Sequence, residues 1–550
     1  MASEKGRDDM SVSIQEWIER GERGEPVWLN ELRESGVPAE DGVQLILRLD
    51  NGAAMERVYK LPRWKNARER DFVREYLCAC VYNLLAAFGG SRLIFYLDTS
   101  ESAAVELIGE LGGIFQLESL KRSGYGKPVS VSNRINRSLG RGSLSFETAD
   151  IKDYTPQRQA QSHAHTAPAA RLRAAAARSA GGLYCGIDVG GTDIKLAGAK
   201  DGKLLLVREY DWNPAGFDTA EKIIAPIVEL ARDCRERLGG SPLDGIGLSF
   251  PDTVIRNRIV GGESPKTKGI RENPALEYEA EFEKISLLEA RLKELCREGA
   301  SVRIINDGSM TAFTAAVELA ESGETVDGGV FALSLGTDLG TGWLKSDGSI
   351  PEIPLELYDF LLDLGSRPQR ALPPEDLRSI LNANSGLPGV RRYLGQAAAY
   401  RLAMEKKPQL LRGFLAEGAV PQIASDPVDL RKPCLEQLME LATEGDGAAE
   451  EIFRQIGTNL GILNREAEFV LGELPGKRYL FGRFAKRAQC FKLIKEGFEL
   501  ADPAATLLAA DEHMAFTALM RQLRDMENVT VAQYAQAVGA IYFACMEENR

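Results

Sequence analysis

A tight turn in the middle of the chain has residue types that suit phosphate binding. Gly190, Gly191 and Thr192 connect two predicted strands, and side chains do not shield the backbone N–H groups there. Asp188, just before the turn, could hold a hydrated Mg2+, and Lys195 could supply a positive point charge. The segment is neither a Walker A loop nor a G-x-G-x-x-G strand-to-helix turn. The alternative is that it is only a turn.

A second segment of similar composition follows later, over residues 336–342. Its candidate phosphate-binding residues are Gly336, Thr337, Gly340 and Thr341. Two such turns that face each other across a cleft could hold a triphosphate from both sides. The pair of turns is therefore more informative than either turn alone.

A carboxylate between the two turns could act as a general base. Residues 301–305 predict a strand that leads into Asn306 and Asp307, and a helix is predicted over 310–321. A carboxylate at the end of a strand, beside a helix N-terminus, can be held ionised and directed at a substrate hydroxyl. The alternative is structural, with Asp307 or Ser309 only capping the helix.

The elements that carry these residues occur twice in a similar order. The first set is predicted as three strands, a helix and a strand, at 184–189, 194–199, 203–210, 219–238 and 245–250. The second set begins with a strand over 329–335 and continues, after the Gly/Thr turn, with a strand over 343–345. The repetition implies two similar lobes with a cleft between them.

Residues 157–180 are rich in Ala, Gln and Arg, contain no acidic residue, and mark the clearest boundary in the chain. Before them, a hairpin, a helix, a strand and a further helix are predicted at 43–61, 68–88, 92–97 and 102–111. We therefore expect an N-terminal α+β or α/β domain of unknown role over 1–150, a linker over 151–180, and lobes over 181–326 and 327–550. The second lobe contains an insertion at about 352–440.

The composition excludes several classes of protein. The 550 residues include 80 acidic and 67 basic side chains, so the net charge of -13 argues against nucleic acid or an anionic membrane as a partner. The longest uncharged window, residues 528–546, contains several polar residues and is interpreted as a buried helix. With no N-terminal signal pattern and no disulfide framework among the cysteines, we expect a cytoplasmic protein.

Together, the three motifs resemble those of ROK-type sugar kinases and repressors, in the actin-like ATPase/hexokinase superfamily. Residues 186–195, 305–307 and 335–342 are similar to the phosphate-1, catalytic and phosphate-2 motifs of that family. The resemblance covers about residues 181–550. It implies an α/β, two-lobed actin-like ATPase (ribonuclease H-like) fold with a central cleft. A separate α+β or α/β N-terminal domain would precede it, and the first lobe would lie on the sugar side and the second on the nucleotide side.

The resemblance also implies roles for single residues. Asp307 would be the general base, Asn306 would hydrogen-bond the sugar, and Asp188 would organise Mg2+ through water. Glu352 is the carboxylate best placed to bind the substrate, and Glu356 is the alternative. Contacts with the phosphates and the nucleotide would come from Gly190, Gly191, Thr192, Lys195, Gly336, Thr337, Gly340, Thr341 and Gly482.

Three features depart from the family pattern. Asp252 and Asp338 stand where the family has glycine. An additional carboxylate at residue 338 would repel a phosphate unless a cation pairs with it. Residues 345–434 contain no histidine and one cysteine, so a structural zinc of the family type is not expected.

The leading hypothesis is an ATP- and Mg2+-dependent phosphotransferase that phosphorylates a hydroxyl of a sugar or sugar-like small molecule, with Asp307 as the base. The alternative is a catalytically weak or inactive regulatory protein that senses sugar or nucleotide on the same scaffold, which Asp252 and Asp338 motivate. A chaperone-like or structural ATPase is a third hypothesis. The sequence is also compatible with a homodimer.

Overall fold

The N-terminal part of the chain forms a four-stranded mixed sheet with helices packed against it. The computed structural model describes residues 13–35, 42–51, 54–121, 126–156, 168–262, 265–365, 389–413, 428–472 and 474–547. The N-terminal strands are β1 (Gly42–Asp50), β2 (Ala54–Pro62), β3 (Arg92–Leu97) and β4 (Ser145–Asp150), in the order β2-β1-β3-β4. The helices are α1 (Ile14–Glu22), α2 (Leu29–Glu34), α3 (Ala67–Phe88), α4 (Ser102–Lys121) and α5 (Gly126–Ser138). The predicted hairpin is present, because β1 and β2 pair antiparallel.

The first lobe is built on a five-stranded sheet. Its strands are β5 (Leu183–Val189), β6 (Asp193–Lys200), β7 (Lys203–Asp211), β8 (Leu243–Phe250) and β11 (Cys296–Asn306), in the order β11-β8-β5-β6-β7. The first three in sequence pair antiparallel, and β8 and β11 continue the sheet in parallel. A short hairpin, β9 (Val254–Ile255) and β10 (Arg258–Ile259), follows β8. The helices are α6 (Pro168–Arg178), α7 (Ala220–Arg237), α8 (Lys268–Glu272), α9 (Tyr278–Glu283), α10 (Leu287–Lys293) and α11 (Asp307–Ser322).

The second lobe repeats a shortened form of this topology. Its strands are β12 (Val330–Leu335), β13 (Leu339–Leu344), β14 (Lys477–Phe481) and β15 (Thr506–Ala509), in the order β13-β12-β14-β15. An antiparallel hairpin is again extended by two parallel strands. The helices are α12 (Val390–Tyr393), α13 (Gly395–Lys406), α14 (Pro408–Arg412), α15 (Val428–Thr443), α16 (Gly447–Leu471), α17 (Ala488–Ala501), α18 (Ala518–Arg524) and α19 (Val531–Ala544). The predicted two-lobed actin-like fold is confirmed.

Two helices pack between the lobes at very short backbone distances. A Cβ atom on Gly186 or Gly247 would lie 1.9 Å or 1.8 Å from a carbonyl oxygen of α19, which therefore rests directly on β5 and β8. In the same way, a Cβ atom on Gly342 in β13 would lie 1.8 Å from the carbonyl oxygen of Gly308 in α11. This contact fixes the first turn of α11, which begins at Asp307, against the second lobe.

The N-terminal region shares its hydrophobic core with the second lobe. One cluster of buried side chains contains residues of α3 and β3 together with residues of β12 and α16. Asn83 of α3 donates hydrogen bonds to the carbonyl of Leu361 at 2.9 Å and to Glu466 of α16 at 3.0 Å. The prediction of a separate N-terminal domain is therefore not confirmed.

Parts of the predicted linker and insertion can be placed. Residues 168–178 of the linker form α6, whose Leu172 is buried among side chains of α11. Residues 157–167 of the linker, and residues 366–388 and 414–427 of the insertion, lie outside the described residues. Within the described ranges, no helix is both long and apolar enough to cross a membrane.

Candidate functional site

Asp307 lies in a cavity of about 230 Å3 between the two lobes. The first lobe contributes Asp252, Lys266 and Asn306 to its lining, and β13 contributes Gly340 and Thr341. Side chains of the N-terminal region also line it. The structure therefore brings the predicted base and part of the second Gly/Thr turn into one cavity.

Asn306, and not Asp307, caps helix α11 through its side-chain oxygen. The Asn306 Oδ1 atom accepts hydrogen bonds from the backbone N–H groups of Gly308 at 2.9 Å and Ser309 at 3.3 Å. Its Nδ2 atom donates to the carbonyl of Asp252 at 3.0 Å. The carboxylate of Asp307 accepts one further bond, from the N–H of Gly308 at 2.8 Å. Because the capping interaction belongs to Asn306, the Asp307 side chain is available to the cavity.

Burial and neighbouring charges set the proton affinity of the two central carboxylates. Burial raises the pKa of Asp307, Lys266 lowers it, and Asp252 raises it further, with a net increase. Burial raises the pKa of Asp188 to about 6, despite the opposing effects of Lys195 and Ser249. The charge of Asp307 is a smaller cause that also raises the Asp188 pKa, so the two carboxylates lie within electrostatic range of each other.

These shifts predict a loss of activity in mild acid. The pKa of Asp188 is raised from 3.8 to about 6, so this group takes up a proton as the pH falls through that value. Protonated Asp188 cannot organise a cation, and we expect kcat/KM for Mg-ATP to fall about tenfold between about pH 7 and about pH 5. The raised pKa of Asp307 acts in the same direction. A flat profile over this range, with the fold intact by circular dichroism, would contradict this expectation.

The second Gly/Thr turn lies between two cavities. Its last residues, Gly340 and Thr341, line the cavity of Asp307. Its first residues, Gly336 and Thr337, line another cavity of about 310 Å3, which Gly482 at the end of β14 also lines. A molecule with phosphates along this turn could therefore extend from the larger cavity to Asp307.

The first Gly/Thr turn is exposed, and a hydrogen bond and an ion pair stabilise it. The N–H of Gly190 donates to the carbonyl of Asp193 at 2.8 Å, and Lys195 pairs with the Asp193 carboxylate. A Cβ atom on Gly191 would have one neighbour within 4 Å, the Cε atom of Lys266 at 3.9 Å. The space beside this turn is therefore open, and Lys266 on its far side lines the cavity of Asp307. The Lys195 ammonium is thus paired with the Asp193 carboxylate at the start of β6.

Thr341 carries a buried hydroxyl without a hydrogen-bond partner. The residue is 6% exposed, and its Oγ1 atom is buried and unpaired beside the cavity of Asp307. A buried hydroxyl that makes no hydrogen bond is unfavourable, and most are paired in folded proteins. An oxygen of a bound phosphate is the natural acceptor for this group.

Replacing Thr341 by valine is expected to change stability and affinity in opposite directions. Without ligand, the free energy of unfolding should be unchanged or rise by up to about 1 kcal/mol, because an unpaired hydroxyl is removed. The affinity for ATP should fall about tenfold, as measured by calorimetry. Thr458→Val is a matched control, since the Thr458 hydroxyl already donates to the carbonyl of Arg454 at 3.1 Å on the distant helix α16. Equal ATP affinities of wild type and Thr341→Val would contradict the expectation.

Asp188 is suited to a magnesium ion that keeps most of its water. Within the residues that the structure describes, no group of three or more His, Cys, Asp or Glu side chains could enclose a metal ion. Mg2+ is commonly bound by one or two carboxylates together with waters and substrate phosphates. The buried carboxylate of Asp188, within electrostatic range of Asp307, fits that mode of binding.

The two aspartates that depart from the family pattern have different surroundings. Asp252 is buried and accepts hydrogen bonds from the N–H groups of Thr253 and Gly262, both at 3.0 Å. It therefore holds the loop after β8 in place. Asp338 is exposed and lines the cavity of Asp307, where its charge adds to that of the base.

The two candidate substrate carboxylates are separated by the fold. Glu356 lines the cavity, and its carboxylate accepts a hydrogen bond from Thr253 Oγ1 at 3.0 Å. Burial and the nearby Asp359 raise the pKa of Glu356 to about 7. Glu352 instead pairs with Arg256 on the surface at 3.1 Å and does not line the cavity.

The sequence interpretation missed two lysines of this cavity. Lys266 lies in the loop before α8, and Lys127 lies in α5 of the N-terminal region. The loop around Lys266 carries glycine, proline and lysine residues, which is a weak signal for a ligand-binding loop. Nothing in the local sequence of α5 indicates that it reaches a site more than a hundred residues away.

Comparisons with solved structures find ROK family proteins among the matches. Neither a family model nor a curated protein sequence matches the chain. A ROK family glucokinase from Streptomyces griseus, solved with glucose and AMPPNP, is 19% identical with a TM-score of 0.41, covering 66% of this chain and 99% of its own. The ROK hexokinase of Thermus thermophilus is 17% identical with a TM-score of 0.39, covering 66% of this chain and 97% of its own.

The predicted resemblance to the ROK family is confirmed. A ROK family transcriptional regulator, described as a homologue of the E. coli MLC protein, also matches, at 14% identity and a TM-score of 0.40, covering 66% of this chain and 81% of its own. At these TM-scores the superpositions carry no argument of their own. The assignment of the two-lobed actin-like fold rests on the strand order of the two sheets.

Proposed function

We propose that this ROK-like protein is an ATP-dependent phosphotransferase that phosphorylates a hydroxyl of a sugar or sugar-like small molecule. The observation that carries the proposal is the position of the second Gly/Thr turn. Gly340 and Thr341 at its end line the cavity of Asp307, and Gly336 and Thr337 at its start line the larger cavity. A nucleotide in the larger cavity would thus direct its terminal phosphate toward the carboxylate.

Each part of the site has a role in the proposed reaction. Asp307 accepts the proton of the acceptor hydroxyl as that oxygen attacks the γ-phosphorus of ATP, and ADP leaves. Asp188 would hold Mg2+ through water, and a bound ion would supply positive charge beside the phosphates. The buried Thr341 hydroxyl donates to a phosphate oxygen. Phosphoryl transfer depends mainly on such positioning and charge stabilisation, so few residues suffice.

The acceptor would occupy the cavity of about 230 Å3. Its lining provides carboxylates at Asp307 and Glu356 and an ammonium at Lys266. These groups supply both hydrogen-bond acceptors and donors, as a polyhydroxylated molecule requires. Walls from both lobes would exclude water from the transferring phosphoryl group.

The test is ADP release from Mg-ATP across a panel of hexoses, N-acetylhexosamines, polyols and inositols. We expect one group of acceptors to stimulate ADP release and the phosphorylated product to appear by mass spectrometry. An absence of stimulation by every acceptor, with ATP and sugar both bound in calorimetry, would contradict the proposed activity.

Binding of ATP and sugar without stimulated ADP release would instead favour a ROK-like sensor. The observation on its side is Asp338, whose exposed carboxylate lies within the phosphate-binding turn and repels phosphate unless a cation pairs with it. The substitution Asp338→Gly should then increase the affinity for ATP. The kinase is preferred because both carboxylates that the reaction needs are present, and the charge of Asp307 lies near enough to contribute to the raised pKa of Asp188.

A further inference from the structure

The N-terminal region forms one wall of the cavity in which Asp307 lies. The end of α3 contributes Leu85 and Ala86 to the lining, and α5 contributes Lys127, Pro128 and Val131. Of these residues only Lys127 carries a charge. Its side chain is 23% exposed and its Nζ atom lies 2.6 Å from the Oδ2 atom of Asp359, which also lines the cavity.

Backbone hydrogen bonds hold this wall against the segment that carries Glu356 and Asp359. The N–H of Leu355 donates to the carbonyl of Ala87 at 2.9 Å, and the N–H of Glu356 donates to the carbonyl of Ala86 at 3.1 Å. Such bonds fix the end of α3 relative to the cavity carboxylates. The residues of α3 that line the cavity are therefore held in a fixed position beside these carboxylates.

Helix α5 also reaches the first lobe. Arg134, about two helical turns after Lys127, is 5% exposed and pairs with Glu279 at 2.8 Å. It also donates to the carbonyl of Gly261, a residue that lines the cavity. Helix α5 thus contacts residues of both lobes around the acceptor cavity, and Lys127 lies between the lobes.

The charges around Lys127 favour an uncharged acceptor. The ammonium pairs with Asp359 and lies near Glu356, so it supplies N–H donors beside two carboxyl groups that accept. A hydroxyl group, which both donates and accepts, satisfies such a pair of groups. An anionic acceptor would be repelled by the carboxylates of Asp252, Asp307, Glu356 and Asp359, which outnumber the two lysines.

We propose that Lys127 is a substrate-binding residue that donates a hydrogen bond to a hydroxyl of an uncharged, polyhydroxylated acceptor. The N-terminal region then contributes directly to acceptor selectivity. This inference rests on the proposed function for the identity of the cavity as the acceptor site. It adds a region of the chain, before residue 157, to the site that the motifs define.

Calorimetric titration of the full chain tests the inference without requiring turnover. The probes are D-glucose, D-mannose, N-acetyl-D-mannosamine and myo-inositol, and the one that wild type binds most tightly is used for the variants. Lys127→Ala is expected to weaken its binding about 10- to 100-fold, as for a lost hydrogen bond to a charged group, and to leave ATP affinity unchanged. Lys152→Ala removes an exposed lysine of the same region and should change neither affinity.

Two further measurements separate direct binding from a structural role. Ethylammonium at millimolar concentration should restore sugar affinity to Lys127→Ala, because it can occupy the site of the missing ammonium. Lys127→Arg keeps the pair with Asp359 and the fold but enlarges the side chain, so it should retain thermal stability and still bind the sugar less tightly.

The preference for an uncharged acceptor is tested separately. D-glucuronate should bind wild type less tightly than D-glucose.

Several outcomes would overturn the inference. They are unchanged sugar affinity in both Lys127 variants, equal loss of sugar and ATP affinity, tighter binding of D-glucuronate, and no binding of any of the four probes to wild type. Binding that depends on Lys127 without ADP release would overturn the proposed kinase and leave this inference intact. Turnover that depends on Asp307, with sugar affinity independent of Lys127, would overturn this inference alone.

Discussion

Asp307→Asn is expected to reduce acceptor-dependent ADP release by about 100-fold or more, because the group that takes the hydroxyl proton is lost. Asparagine has nearly the same shape, and its side-chain oxygen can still accept the hydrogen bond from the N–H of Gly308. The helix cap is unaffected, since Asn306 provides it. The measurement is steady-state ADP release at saturating acceptor and Mg-ATP, with both substrates titrated into the variant by calorimetry.

The control for this substitution lies on the same helix. Glu321→Gln neutralises an exposed carboxylate near the other end of α11 and should leave turnover unchanged. Retained binding of ATP and acceptor in Asp307→Asn would assign the loss to the chemical step. If Asp307→Asn turned over at the wild-type rate, another group would have to be the base.

Gly342→Ala is expected to destabilise the protein by about 3 kcal/mol or more, because overpacking against fixed backbone cannot relax. The added Cβ atom would lie 1.8 Å from the carbonyl oxygen of Gly308 and 2.8 Å from the Cβ of Ala312. Neither α11 nor β13 can move away, since both are packed in the core between the lobes. Thermal or urea unfolding, monitored by circular dichroism, measures the effect.

The effect of Gly342→Ala should extend to the site. A shift of α11 away from β13 would displace Asp307 relative to Thr341, so any folded fraction should have reduced turnover. Gly328→Ala provides the comparison, because a Cβ atom there has no neighbour within 4 Å and the backbone does not require glycine. Wild-type stability in Gly342→Ala would show that the two elements are not as closely packed as described.

The motifs and the strand order were accessible from the sequence because they depend on neighbouring residues. Short apolar segments separated by turn residues predicted β5, β6 and β7, and glycine and threonine between strands predicted the two turns. Their repetition in the same order predicted two lobes, and the sheet orders confirm this topology. These features are local in the chain, and packing did not override them.

The arrangement within the site depended on contacts between distant residues. From the sequence we placed Glu352 first and Glu356 as its rival, whereas the path of the segment after β13 brings Glu356, and not Glu352, into the cavity. Whether Asp307 caps its helix was open, and the side-chain orientation of Asn306 decided it. A difference of one or a few residues selects the opposite face of a loop or helix, which composition does not encode.

The sequence by itself therefore determined the fold of the two lobes, the two Gly/Thr turns and the carboxylate between them. Only the tertiary structure joined the N-terminal region to the cavity. Lys127 reaches Asp359 across more than two hundred residues of chain because α3 shares a hydrophobic core with the second lobe. Burial of apolar surface, which is not directional, set that placement, and no local motif records it.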